Sequence, residues 1–225
     1  MFCHAFRKEI LLKKQSLRKE KKNTPLSIRR LAYDSVYAVK YRGVYSNLYI
    51  SQSIKKYRLM DRDRAFYTEL VYGTLENIRF LDYVIDKFSS VKVDKLSREV
   101  LTILELSLYQ IHCMDGVQNF AVVNEMVNLT KSVCYNPRLS SFVNGVLRNI
   151  LRSPDAFDIL LPPGKKRLGI EYSVSEWISE MLIDQYGLEE TEDILYALSQ
   201  HPAIFLRVNI NKITPKLLKE KLYSL

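Results

Sequence analysis

Between Pro25 and Pro137 the chain carries no proline, and only Gly43, Gly73 and Gly116 interrupt that stretch. A proline inside a helix costs about 3 kcal/mol and a glycine about 1 kcal/mol. A run of this length therefore leaves room for several long helices and little else. The whole chain holds seven glycines in 225 residues, roughly 3% against the ~7% of ordinary proteins. Many-stranded β architectures and glycine-rich nucleotide folds are disfavoured on that ground alone.

Hydrophobic residues at 47% and charged residues at 26% make an ordinary globular mixture, which excludes global disorder. The most apolar stretch, Val100 to Met114, contains Glu105, Gln110 and His112 and falls short of the ~20 residues of a membrane span. No transmembrane helix is expected. The three cysteines, Cys3, Cys113 and Cys134, form no CxxC pair and no disulfide framework, and the N-terminus turns charged from Arg7 with no apolar signal core. A reduced, cytoplasmic protein is the expectation.

The net charge is +9, and ten Lys or Arg against Glu9 and Glu20 place +8 of it within residues 1–30. A basic arm on a near-neutral body points to a polyanionic partner.

Residues 1–23 form this arm. Thr24-Pro25 reads as a cap and a first helical position, opening a helix that ends near Gly43. Further helices are expected at about 45–57, from an Asp61 cap to Gly73 and on to Phe88, at 95–114, 120–133 and 139–151. The helix over 95–114 is apolar on nearly every side and is expected at the centre. Residues 153–172, with Pro154, Pro162, Pro163 and Gly164, read as a linker. Ser173-Val174-Ser175-Glu176 has the form of a capping box opening a helix to Gly187, with another to Ser199. Residues 203–209 read as a strand and Thr214-Pro215 as the start of a last helix. A lone strand and helix cannot bury their apolar faces unaided, so the end of the chain reads as the beginning of a second domain cut short.

Few residues invite chemistry. Gly164 to Gly169 has GxxxxG spacing, but Ile170 and Glu171 follow where a phosphate loop needs Lys and Ser or Thr. Cys3-His4 and His112-Cys113 are adjacent pairs, which on a helix point ~100° apart and cannot readily share a metal. Asp61 and Asp63 at a helix start suit the helix dipole better than acid–base catalysis. The fifteen tyrosines lie mostly at core spacing. No catalytic, cofactor-binding or metal residue is expected.

Three segments together resemble one family. Asp61-Arg62-Asp63-Arg64-Ala65-Phe66, continuing to Leu70-Val71-Tyr72-Gly73-Thr74-Leu75, is similar to its DR.f..eLvyGtlr stretch. Leu108-Tyr109-Gln110 followed by Ala121-Val122-Val123-Asn124-Glu125-Met126-Val127 resembles LYQ…aavNEaV, and Phe142-Val143-Asn144-Gly145-Val146-Leu147-Arg148-Asn149 resembles FvNgvLR. The family is the NusB-like RNA-binding domain as found at the N-terminus of RsmB (Sun) 16S rRNA cytosine-C5 methyltransferases. Tyr172 to Trp177 and Leu206-Arg207-Val208-Asn209 resemble the methyltransferase's linker and the start of its catalytic half. The family's cofactor loop and Pro-Cys motif do not occur in residues 1–225, and Cys113 and Cys134 sit inside bundle helices.

The resemblance implies an all-α fold: a NusB-like helical bundle, then a helical linker and a short α+β start of a truncated second domain. The implied layout is a basic arm at 1–23, the bundle at 24–152, a linker at 153–172, and linker helices with the start of the methyltransferase domain at 173–225. The implied function is binding of RNA, expected to be 16S rRNA, as the targeting part of an S-adenosylmethionine-dependent methyltransferase. No cofactor, metal or membrane contact is expected in this chain. The alternative is a standalone NusB-like antitermination factor that binds RNA and a ribosomal protein. Lys21, Lys22, Arg29 and Arg30 are the expected RNA contacts, because helix N-termini also favour phosphate. Asn124, Glu125, Asn144 and Arg148 read as interhelical hydrogen-bonding and packing positions.

Overall fold

Side-chain caps mark the starts of several helices, at Ser27, Ser97, Asn136 and Thr214. The structure, a computed structural model, describes residues 27–200 and 205–223; Lys21, Lys22 and the Thr24-Pro25 start lie outside them. Helix α1 (Ile28–Arg42) begins at Ser27, whose hydroxyl accepts from the Arg30 amide, and ends at Gly43 with left-handed backbone (φ 66°). Helices α2 (Ser46–Tyr57) and α3 (Asp61–Glu76) follow. Met60, not Asp61, is the cap of α3; Asp61 and Asp63 occupy its first turn, where their charge suits the dipole.

The break before α4 (Ile78–Phe88) falls at Asn77 rather than at Gly73. Asn77 donates to the Gly73 carbonyl twice, from its backbone N–H at 3.1 Å and its side-chain amide at 2.8 Å. A side chain that competes for a helical carbonyl ends the ladder there. Position 73, inside the helix, requires glycine for another reason: a Cβ on it would lie 1.9 Å from the ring of Tyr109. The α3 backbone therefore presses directly on an aromatic face of α5 (Arg98–Cys113). The Tyr109 hydroxyl donates to Glu69 one turn earlier on α3, at 2.6 Å.

Helix α5 is central, touching α1, α3, α4, α6 (Asn119–Cys134) and α7 (Pro137–Arg152). Its residues from Thr102 to Gln110 are all buried. The polar ones among them are satisfied locally, Thr102, Ser107 and Gln110 each donating to a carbonyl one turn back. Glu105 is the exception. It is fully buried, takes the Lys40 ammonium at 2.5 Å on one oxygen, and leaves Oε2 with no partner; Asp82 Oδ1 on α4 is buried and unpartnered too. Burial pushes the Glu105 carboxyl well above the usual carboxylate range, and that of Asp82 also rises through desolvation. Two facing carboxylates repel, whereas one proton shared between them satisfies both orphan oxygens.

The proline-rich stretch after α7 is docked rather than slack. Phe157 stacks on His112 of α5 (4.2 Å, 10°), and the Tyr83 hydroxyl of α4 donates to the Leu160 carbonyl. A short helix, α8 (Lys165–Glu171), buries Leu168 completely and packs on α4. The capping box does not form. Ser173 is pulled into left-handed backbone (φ 52°), where its hydroxyl accepts from the Arg79 amide, and Ser175 instead precedes α9 (Glu176–Ser199). Gly187 (φ 80°, ψ 172°) kinks α9, dividing it where the sequence suggests two helices. Arg167 ties α8 to the second half of α9 through Glu192.

The helix expected after Thr214 is α10 (Pro215–Tyr223). Of the strand expected at 203–209, residues 203–204 lie outside the described residues, residues 205–209 are neither helix nor strand, and no strand occurs among the described residues. A strand is held by its ladder to a neighbour, and no described segment offers an edge. The fold is all-α.

Candidate nucleic-acid interface

Adjacent residues on a helix diverge by about 100°, and Arg29 and Arg30 are accordingly put to different uses. Arg29 points into the bundle. Its Nε donates to Gln110 of α5 at 2.6 Å, its Nη1 to Glu125 of α6 at 2.8 Å, and its guanidinium lies over the Phe66 ring of α3. With 17% of its side chain exposed, Arg29 is a clamp joining four helices. Gln110 and Glu125, both from the motif segments, are its acceptors.

Arg30 lies on the outer side, paired with Asp34 at 3.1 Å and set over the Tyr33 ring, with 42% of its side chain exposed. From there a ladder of tyrosines runs along α1 at intervals of four. Tyr33 and Tyr37 have ring centroids 5.7 Å apart, and Tyr37 and Tyr41 4.9 Å. Cations sit over these rings: Arg42 over Tyr37, and both Lys40 and Arg98 over Tyr41. Tyr37 donates to Glu99 at 3.2 Å. Burial and the Glu99 carboxylate push the hydroxyls of Tyr33 and Tyr37 upward, so both stay neutral donors. Arg30, Tyr33, Tyr37, Arg42, Tyr49 and Tyr135 line a groove of about 530 Å³.

Guanidinium groups that donate bidentately to phosphate, set beside aromatic faces on which a base can stack, are the two components of single-strand nucleic-acid grooves. Sequence reasoning reached Arg30 and missed the ladder. Its signal was present in Tyr33, Tyr37 and Tyr41 at four-residue spacing, flanked by Arg30 and Arg42, but that spacing equally describes a core stripe. What separates the two is that Tyr33 alone is buried while Tyr37 and Tyr41 remain half-buried.

The other motif residues sort by contact. Glu125 does reach across helices. Arg148 does not; it bonds Asn144 within α7 at 3.0 Å, and the crossing contact from that segment is Asn149 to the Phe88 carbonyl. Asn124 is exposed. Desolvation and nearby Glu69 push the Cys113 thiol up to about 11, and the Cys134 thiol also rises. Gly164 precedes α8 and Gly169 lies within it, buried against the Val174 carbonyl. Among the described residues no helix is long and apolar enough to cross a membrane, and no cluster of three or more metal-ligating side chains occurs.

Comparison with known proteins bears on this geometry. Residues 26–152 match the NusB family, and residues 174–224 match the ferredoxin-like domain of RsmF/B-like methyltransferases. The chain is 37% identical over 184 residues to the probable ribosomal RNA small subunit methyltransferase B of Bacillus subtilis, covering 81% of this chain and 40% of that protein. It is 33% identical over 184 residues to the protein of the same description from Synechocystis, covering 82% and 41%. The chain thus spans about two fifths of the length of these curated relatives. The crystal structure of PH0851 superimposes with a TM-score of 0.59 at 15% identity over 89% of this chain and 45% of that one, a likeness of fold.

Proposed function

The chain belongs to the NusB family, and on that premise we propose that it is the RNA-holding front part of a small-subunit rRNA methyltransferase of the B type. The carrying observation is the groove on α1, where Arg30 and Arg42 flank a tyrosine ladder. In this reading Arg30 contacts phosphate, Lys21 and Lys22 of the basic arm add further contacts, and Arg29 keeps α1 in place. The RNA is 16S rRNA, met in the cytoplasm and recognised by backbone and shape. The arm is residues 1–23, the bundle 24–152, the connection 153–172, and the ferredoxin-like part begins at 173.

The match at residues 174–224 favours this reading over a standalone antitermination factor. The methyl donor of the whole protein, S-adenosylmethionine, supplies an electrophilic methyl group. No chemical step is assigned to the described residues of this chain, and the part proposed for them is to hold and orient RNA.

The test is fluorescence anisotropy with a labelled small-subunit rRNA hairpin. Arg30→Ala with Arg42→Ala is expected to weaken binding about tenfold and to lower the salt slope by roughly 1.5. The loss should be equal across RNA sequences, because phosphate contacts carry no base information. Unchanged affinity in the folded double variant would reject the groove.

A further inference from the structure

Beyond the groove, the charge of the folded body is unevenly placed. Residues 42–60 hold Arg42, Lys55, Lys56 and Arg58 and no Asp or Glu, a local charge of +4. Residues 31–225 carry +1 in all, since +8 of the total +9 lies in residues 1–30, so the rest of that body sums to −3. None of these four cations pairs with a carboxylate among the described residues, whereas Arg29, Arg30, Lys40, Lys92, Lys165 and Arg167 all do. All four are exposed. Cations without a carboxylate partner, gathered at the end of α1 (Arg42) and at the end of α2 (Lys55, Lys56 and Arg58) on an otherwise mildly acidic body, form a local field that attracts a polyanion.

This group is continuous with the groove. Tyr49 of α2 lines the groove beside Arg42 and stands within electrostatic reach of Tyr57 and Lys56 on its other side. Tyr49 and Lys56 are seven residues apart and share one helical face. The Lys56 ammonium lies 5.0 Å from the Tyr57 ring centre, so the pairing of cation and aromatic ring seen on α1 recurs at the far end of α2. Twelve residues of helix span about 18 Å, room for several further nucleotides.

We propose that α2 is a second stretch of the RNA track, with the strand leaving the α1 groove past Tyr49 and its phosphates held by Lys55, Lys56 and Arg58. This rests on the reading of the groove as an RNA site. It adds a direction of travel and a longer footprint. A phosphate backbone is favoured over an acidic protein segment because the cations are interleaved with aromatic rings, which suit bases.

The experiment uses the full chain and its Lys55→Ala/Lys56→Ala/Arg58→Ala variant, with labelled single-stranded RNAs of about five and about fifteen nucleotides, lengths that bracket a short single-strand site. The variant's fold is checked by circular dichroism and its melting temperature. For the longer RNA the variant should bind roughly tenfold more weakly, with a salt slope lower by about 2, as expected for three lost phosphate contacts at ~0.7 each. The short RNA, which fills only the groove, should bind both proteins alike. If the unaltered chain binds both RNAs and the variant matches it on the longer one, the track is overturned and the groove stands. If the unaltered chain binds neither RNA, the RNA reading itself fails and the track with it. Polyglutamate that displaces the long RNA as well as unlabelled RNA does would also overturn the assignment.

Discussion

Gly73→Ala will destabilise the bundle by about 3 kcal/mol or more, a large loss for the addition of one methyl group. The added Cβ would stand 1.9 Å from Cζ and Oη of Tyr109, well inside contact distance, and neither side can give easily. Tyr109 is buried, and its hydroxyl is fixed on Glu69. Gly73 lies on α3, which packs on both α1 and α5, so moving it shifts two contacts at once. Thermal denaturation should show a fall of roughly 10 °C. A double-mutant cycle identifies the cause: in a Tyr109→Leu background the same alanine should cost much less, because the aromatic face is gone. Equal losses in both backgrounds would mean that the close approach is not what demands glycine.

The second large effect is pH-dependent. Glu105 in the folded protein holds a proton more tightly than in the unfolded chain, because burial raises its carboxyl well above the ordinary 4.5. A raised folded value contributes stability that is fully present below the unfolded value and is lost as pH rises through the folded one. The unfolding free energy should therefore decline from about pH 5 upward, by at most ~1.4 kcal/mol per pH unit for one proton. Asp82→Asn replaces the shared proton with a permanent amide donor to Glu105, and should flatten that decline. Lys40→Met removes the one cation facing Glu105 at 2.5 Å and leaves a buried carboxylate uncompensated. Its loss should reach about 3–5 kcal/mol at pH 8 and shrink at pH 5, where the carboxyl is protonated. Urea denaturation across this range decides the matter, and parallel pH profiles for the original chain and Asp82→Asn would exclude a shared proton.

Much of the fold was legible because helices announce themselves locally. The absence of proline from 26 to 136, the glycine at 43 and the apolar surround of residues 100–111 fix element type and the central helix without reference to tertiary contacts. What was not legible depends on partners distant in sequence. The break at Asn77 is made by its own bonds to the Gly73 carbonyl, but the need for glycine at 73, which the sequence presents as a helix break, follows from Tyr109, 36 residues on. The capping box at Ser173 looked sound locally, yet Arg79 claims that serine. The segment at 203–209 has strand-like composition, but strand formation is decided by a neighbour.

The site divided in the same way. A pair of arginines at a helix start is easy to read, but their opposite facing is set by Gln110 and Glu125, 81 and 96 residues away. The stripe at Tyr33, Tyr37 and Tyr41 shows in the sequence. Whether it faces core or solvent depends on helices that leave its flank uncovered.

The docking of α8 onto α4 decides how the bundle can hand anything on. A slack tether lets its cargo search a volume, and only the tether's length and stiffness matter. Here Leu168 is sealed in, Arg79 holds both Ser173 and Ser175, and Arg167 grips Glu192, so α9 departs from the bundle on a fixed bearing. Such a joint works by aim rather than by reach. One residue added inside α8 would swing that bearing by about 100°, whereas the same residue added to a loose linker would pass unnoticed.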